Sequence, residues 1–210
     1  MIAKFEFKNF YASSISHIFQ LIGVFFLSLY YFSKYTVEIE FTGEKFDPNK
    51  NYIFAVNHRS LNDPPLLACV IKTPISFIAK RELFTNPFLG YLISLLSAIP
   101  VDRDNTGSST IKLAKKVLAK EAWKLVVFIE GTRSKGNTLG EPNTGAIFMS
   151  RLTNTEIVPT GISYRENNHI VIKFATPYLV EKKTDINKEA WSCLEKISEL
   201  CDYSIETRES

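Results

Sequence analysis

Tyr52-Ile53-Phe54-Ala55-Val56 runs straight into Asn57-His58-Arg59-Ser60-Leu61-Asn62-Asp63, and further along Leu125-Val126-Val127-Phe128-Ile129 runs into Glu130-Gly131-Thr132-Arg133-Ser134. Both apolar runs are short, rich in β-branched and aromatic residues, and free of polar alternation, the pattern of parallel strands covered on both faces. Polar groups gathered where such strands end lie where open α/β sheets bind ligands. The expected fold is α/β, a single domain with a mixed, largely parallel sheet flanked by helices.

The flanking sequence supplies the remaining elements. Thr36 to Phe41 alternates like a strand, and Gly43 to Asn51 is a turn-rich link. Asp63 is expected as a helix N-cap, with Pro64 at the first helical position and the helix running toward Ile71. Ile75 to Ala79 reads as a strand, and Leu83 to Leu96 as a helix broken near Pro87 and Gly90. Ser108 or Ser109 should cap a helix carrying Ile111, Ala114, Val117 and Leu118 at helical spacing. Ser134 to Gly145 is a long polar loop, a surface connector or a lid over the neighbouring motif. Ile157 to Tyr164 and Ile170 to Phe174 read as strands, and Lys188 to Leu200 as a closing amphipathic helix.

The N-terminal stretch stands apart. No charged residue occurs between Lys8 and Lys34, and Ile15 to Phe32 is dense in Leu, Ile, Phe and Tyr. A spanning helix needs about 20 apolar residues, and His17, Gln20 and Ser28 interrupt this run, so a shallow or re-entrant amphipathic helix fits as well as a spanning one, and a buried core helix is the plainer alternative. Tyr30, Tyr31, Tyr35 and Lys34 resemble interfacial anchors, and no small-residue cleavage site follows. We expect residues 1–34 to form a membrane-associating segment and residues 35–210 the catalytic domain.

Composition narrows the function classes. With 45% hydrophobic and 22% charged residues the chain is an ordinary folded one, and a net charge of +3 is too small to argue for nucleic acid. Cys69, Cys193 and Cys201 are odd in number and scattered, which suits reduced structural thiols on the cytoplasmic side of a membrane and predicts neither disulfide nor metal site. The absence of G-x-S-x-G disfavours a lipase or thioesterase.

The chemistry should lie in the two motifs. Histidine titrates near neutrality, so His58 beside a carboxylate is suited to take a proton from an alcohol. On one helix His58 and Asp63 would stand about 140° apart at ~100° per residue, so they meet only across a turn, which the strand-to-helix junction supplies. Asp63 would then orient the imidazole as the acid of a Ser-His-Asp triad does. The plainer alternative makes Asp63 a helix cap and His58 a strand-end polar residue. Arg133 offers a rigid fork of donors for phosphate, and Gly131 lets backbone approach an anion. Lys80, Arg81 and Arg103, each near the end of another strand, would add positive charge to the same sheet edge; the alternative for each is a solvated surface cation. Glu130 would pair with one of these cations or accept from a substrate hydroxyl.

Five ordered motifs, Asn57 to Asp63, Ala79 to Leu83, Pro100 to Arg103, Phe128 to Ser134 and Ile157 to Ile162, make the chain resemble the 1-acylglycerol-3-phosphate acyltransferases of the glycerophospholipid acyltransferase superfamily. The resemblance implies transfer of a fatty acyl group from acyl-CoA or acyl-ACP to the free sn-2 hydroxyl of lysophosphatidate, without metal, cofactor or covalent acyl-enzyme. It makes His58 the base and Asp63 its orienting acid. Lys80 and Arg133 become phosphate ligands, and Glu130 and Gly131 part of the acceptor site; Arg81, Arg103 and Thr132 are further candidate substrate-binding residues. Membrane lipids are the expected surroundings and nucleic acid is not a partner. Two departures stand out: Ile129 replaces the proline common before the Glu-Gly-Thr-Arg motif, and Pro142 to Ala146 lacks the basic residue often found before that Gly-Ala. The second leaves acceptor identity more open than reaction type. Acyltransferases for glycerol 3-phosphate, another lysophospholipid or an amino-acid lipid share the motifs, and a noncatalytic lipid-binding protein would share the fold.

Overall fold

The computed structural model describes residues 13–101, 108–134 and 136–206. Its sheet is assembled from β1 (Thr36–Phe41), β2 (Tyr52–Val56), β3 (Ile75–Lys80), β4 (Ile99–Val101), β5 (Lys124–Phe128), β7 (Ile157–Arg165) and β8 (His169–Phe174), in the order β1-β8-β7-β2-β5-β3-β4. The pairings are parallel except for the β7–β8 hairpin. A ladder of β6 (Thr138–Leu139) and β9 (Ser204–Ile205) lies outside this sheet. The mixed, largely parallel sheet expected from the two apolar runs is present, and the central strand β2 is buried at every residue.

Helices cover both faces. On one side α4 (Ser108–Leu118), α5 (Gly145–Thr153) and α6 (Ile186–Cys201) close over Ile53, Ala55, Leu125 and Val127. On the other, α1 (Ser14–Lys34) and α2 (Asp63–Ile71) cover Phe54, Val56 and Val126. Alternate residues of β2 and β5 therefore feed opposite cores, which is why neither strand shows a polar face.

Two local expectations are corrected and one further element appears. Asp63 is the first residue of α2, and Asn62 takes the cap position without a side-chain bond. A capping side chain accepts from the second or third helical amide, and here those positions are Pro64 and Pro65, which have none. The break expected near Pro87 is present, between a 3-10 turn at Arg81–Phe84 and α3 (Pro87–Leu95), but α3 runs through Gly90 unbroken. A Cβ on Gly90 would lie 2.8 Å from the Phe84 carbonyl oxygen, so that glycine permits close packing of the turn on the helix and does not interrupt it. The polar segment from Ser134 leads at Gly145 into α5, a helix not read from the sequence, whose Thr144 cap makes no side-chain bond.

Helix α1 inverts the usual pattern. Ser16, Gln20 and Tyr31 are buried against the domain, while Phe25 and Phe26 are 60% and 64% exposed. The Gln20 amide donates to the Ile75 and Leu96 carbonyls at 2.7 and 3.0 Å and accepts from the Ile75 amide at 3.1 Å. The Tyr31 hydroxyl donates to Asn62 Oδ1 at 3.1 Å. Polar side chains fasten the helix inward and leave its apolar side outward. The helix α3, which packs against α1, continues that surface with Phe88, Tyr91 and Leu92 exposed.

Candidate active site

Because β2 and β5 are parallel neighbours, with Val56 opposite Phe128, the two motifs leave the sheet side by side. The strand β3, set against β5 at Phe77 and Val126, brings Lys80 and Arg81 to the same edge. Arg103 lies outside the described residues.

Past the end of β2, Asn57 prolongs the sheet with its side chain. Its amide donates to the Ile162 carbonyl at 3.0 Å and accepts from the Ile162 N–H at 2.8 Å, replacing a backbone pair and fixing where the chain turns. The next residues fold back around Asp63. Its Oδ2 accepts from His58 Nδ1 at 2.8 Å, from the Arg59 amide at 2.7 Å and from the Ser60 amide at 2.8 Å. The hydroxyl of Tyr164, on β7, donates to Oδ1 at 2.5 Å. Asp63 is fully buried, and these four donors replace the water its carboxylate gives up. The His58 ring stacks on Phe128 with centroids 4.0 Å apart and planes 23° apart. Both its orientation and its tautomer are set: with Nδ1–H donating a hydrogen bond to the Asp63 carboxylate, Nε2 carries the lone pair.

The second motif is tied to the first. Glu130 Oε1 accepts from the His58 amide at 3.0 Å and Oε2 from the Gly140 amide at 2.9 Å. Burial pushes the Glu130 carboxyl above its ordinary value, and the backbone amides of His58 and Gly140 pull against that shift. Ser134 returns the connection, donating to the His58 carbonyl from its amide at 2.8 Å and its hydroxyl at 3.0 Å. Between these bonds Gly131 turns at φ +69°, and a Cβ there would lie 2.7 Å from Asn143 Nδ2. That same Asn143 amide donates to the Glu130 carbonyl at 2.9 Å.

Thr132, Arg133 and Ser134 line a polar cleft of about 220 Å³ with Glu130, Thr138, Gly140 and Glu206. Arg133 is exposed there, in position to meet an anion from solvent. Lys80 is exposed on the adjoining strand and forms a 3.3 Å ion pair with Glu82, and Arg81 begins the 3-10 turn beside it. His58, Asp63, Glu130, Gly131, Thr132 and Arg133 thus form one connected group, while Lys80 and Arg81 flank it. Glu130 uses both carboxylate oxygens on backbone amides, a structural use that its sequence neighbours do not reveal. Tyr164 and Asn143 join the site without having been read from the sequence, and Phe128, quoted there only in the apolar run and as the start of a motif, joins it beneath the His58 ring. Among the described residues no cluster of three His, Cys, Asp or Glu side chains is placed to hold a metal ion.

Residues 38–163 match the family model described as Acyltransferase. Among characterised relatives, the chain is 35% identical over 112 residues to a 1-acyl-sn-glycerol-3-phosphate acyltransferase of Streptococcus pneumoniae, covering 53% of this chain and 41% of that protein. It is 30% identical over 117 residues to the Bacillus subtilis protein of the same name, covering 55% and 57% respectively. The chain spans about half the length of the curated relatives it matches. Its fold is similar to the crystal structure of the 1-acyl-sn-glycerophosphate (LPA) acyltransferase from Thermotoga maritima, with a TM-score of 0.66 at 18% identity, over 86% of this chain and 77% of that one.

Proposed function

The chain belongs to the Acyltransferase family, and from that premise we propose that it transfers a fatty acyl group from acyl-CoA or acyl-ACP to the sn-2 hydroxyl of lysophosphatidate, giving phosphatidate. The observation that carries this reading is the 2.8 Å contact between His58 Nδ1 and Asp63 Oδ2 at the end of β2. Held this way, Nε2 of His58 takes the proton of the acceptor hydroxyl as that oxygen attacks the thioester carbonyl. The tetrahedral intermediate collapses with cleavage of the carbon–sulfur bond, the ester forms, and the imidazolium returns its proton to the departing thiolate. Asp63 stabilises the imidazolium without taking the proton itself. A general base contributes a factor of ~10² to 10⁴, so positioning and oxyanion stabilisation by backbone amides supply the rest.

Arg133, with Lys80 and Arg81 alongside, provides the phosphate-binding charge, and Thr132 lines the same cleft. The outward apolar faces of α1 and α3 suit a substrate and product that reside in a bilayer. The α1 bonds at Gln20 and Tyr31 are roughly 16 Å apart along the helix axis at 1.5 Å per residue. A spanning orientation would drag α2 and the start of β3 into hydrocarbon, so in this reading α1 lies in the plane of the cytoplasmic membrane surface.

The test is transfer of a labelled long-chain acyl group from acyl-CoA, and separately acyl-ACP, to lysophosphatidate, glycerol 3-phosphate and lysophosphatidylcholine in micelles. Labelling should favour lysophosphatidate and fall at least about 100-fold in a folded His58→Ala variant. Full turnover by that variant would remove His58 from the chemistry, and failure with every donor and acceptor would favour a noncatalytic lipid-binding role.

A further inference from the structure

Tyr164 has no part in the motifs, yet the sheet carries it to the centre of the site. Pairing between β7 and β2 ends with Thr160 opposite Val56, and β7 continues to Arg165, supported from its other side by β8 with Tyr164 opposite Ile170. This overhang passes over the turn that holds His58 and Asp63. Even-numbered β7 residues Val158, Ile162 and Tyr164 face the α1–α2 side, so the phenol points toward the first turn of α2.

We propose that Tyr164 is a positioning residue that sets the basicity of His58 by holding the Oδ1 side of Asp63. The proposal rests on the general-base reading of His58 and adds to it a residue acting through the carboxylate. The two oxygens of Asp63 have different partners: Oδ2 accepts from His58 Nδ1 and the amides of Arg59 and Ser60, and Oδ1 accepts from the Tyr164 hydroxyl. Because the Arg59 and Ser60 amides already hold Oδ2 toward His58, the effect of the hydrogen bond at Oδ1 is to draw electron density from the carboxylate that stabilises the imidazolium. Burial, then the negative charge of Asp63, pushes the phenol far above its ordinary range, so it remains a donor throughout the working pH range.

Among the described residues, the other titratable groups around this centre are Glu130 from the loop after β5, Tyr31 from α1, Arg59 from the turn itself and Tyr203 after α6, whose hydroxyl accepts from the Tyr164 amide at 3.2 Å. None of these occupies Asp63 Oδ1 in the structure. Removing the Tyr164 hydroxyl leaves the carboxylate more basic and its attraction for the imidazolium stronger. The His58 pKa should therefore rise, and the pH at which the base becomes active should rise with it.

The experiment compares the full chain with Tyr164→Phe by NMR titration of the three histidines, the His58 signal being assigned by its loss in His58→Ala. The His58 midpoint should move upward by about 0.5 to 1 unit, with His17 and His169 unmoved as internal controls. The acid limb of kcat/KM should move by the same amount, with acceptor KM within about twofold. A folded Tyr164→Phe protein with an unshifted His58 titration would overturn the proposal, even if activity fell. Should that variant fail to fold, fluorotyrosine at position 164 keeps the shape and strengthens the donor, and the His58 midpoint should move down; an unmoved midpoint overturns the proposal. The titration is independent of turnover: an active His58→Ala protein would remove the general-base reading, whereas an unmoved midpoint removes only the role of Tyr164.

Discussion

The carboxylate of Glu130 accepts the backbone amide of His58 on one oxygen and that of Gly140 on the other. The second motif thus acts on the first through the main chain: it fixes where the imidazole starts, while Asp63 and Phe128 fix where it points. A glutamate read from sequence as part of the acceptor site lines the polar cleft and is, in the fold, also a brace between two loops.

Replacing Glu130 with Gln should show this. One of the two backbone amides would then face an NH₂ group in place of an acceptor, at a cost of about 1 to 3 kcal/mol. Thermal unfolding should shift down and kcat should fall about tenfold or more, with acceptor KM nearly unchanged. A rise confined to KM would assign Glu130 to substrate.

Arg133 is expected to behave in the opposite manner. It is exposed on the polar cleft, so Arg133→Ala should leave unfolding unaltered. It should raise KM for a phosphorylated acceptor at least about tenfold, in line with the loss of a charge-assisted pair. Steady-state kinetics over an acceptor series with and without phosphate would decide it.

Gly131→Ala combines two penalties. The residue has φ +69°, and its new methyl carbon would lie 2.7 Å from Asn143 Nδ2. Displacing Asn143 releases the Glu130 carbonyl from its 2.9 Å bond. A loss of about 1 to 3 kcal/mol in urea unfolding is expected, larger than the strain of a left-handed alanine alone; a loss below 0.5 kcal/mol, on the order of an ordinary surface substitution, would show that the loop accommodates the methyl group.

Much of this architecture was legible in the sequence. The runs at Tyr52 and Leu125 announced buried parallel strands because both their faces are covered, and the His58–Asp63 encounter followed from a turn between strand and helix. Other features depend on strand order, which is not local. Tyr164 reaches Asp63 because β7 lies beside β2, a neighbour far away in the chain. The ladder of Thr138–Leu139 with Ser204–Ile205 is only two residues long, too short for any periodicity. Lys124 opens a strand yet is fully buried, its ammonium turned back to the carbonyls of Pro48 and Ala122, a satisfaction that no apolar pattern shows.

That lysine supplies a pH prediction. Burial lowers its pKa from 10.5 to about 8. Between those values the unfolded chain binds more protons than the folded one, so the contribution of Lys124 to stability increases as pH rises. Cys193 and Cys201, pushed by burial from 9.0 to about 12, act in the opposite sense at higher pH, but equally in a Lys124→Met variant. The stability difference between the two proteins in urea should therefore change in favour of the natural chain by about 1 to 3 kcal/mol between pH 7 and 10. A difference constant with pH would show that the buried ammonium keeps its ordinary affinity for its proton.

The outer face of α1 offers a separate test. Phe25 and Phe26 are more than half exposed, so the double substitution Phe25→Glu, Phe26→Glu should preserve the circular dichroism spectrum and markedly reduce sedimentation with anionic vesicles. Undiminished pelleting would place the membrane contact elsewhere. Point substitution is the cleaner probe, since truncation before Lys34 also removes Gln20 and Tyr31 from the packed interior.

Gln20 and Tyr31 give α1 a double allegiance. Sequence change along this helix is constrained twice: residues on its inner side answer to β3, α2 and the turn that carries Asp63, and those on its outer side to the surrounding medium. Drift on the outer face is invisible to the catalytic turn, whereas a slip of one residue in helical phase would disturb both at once. The length of the helix is therefore freer to vary than its rotation.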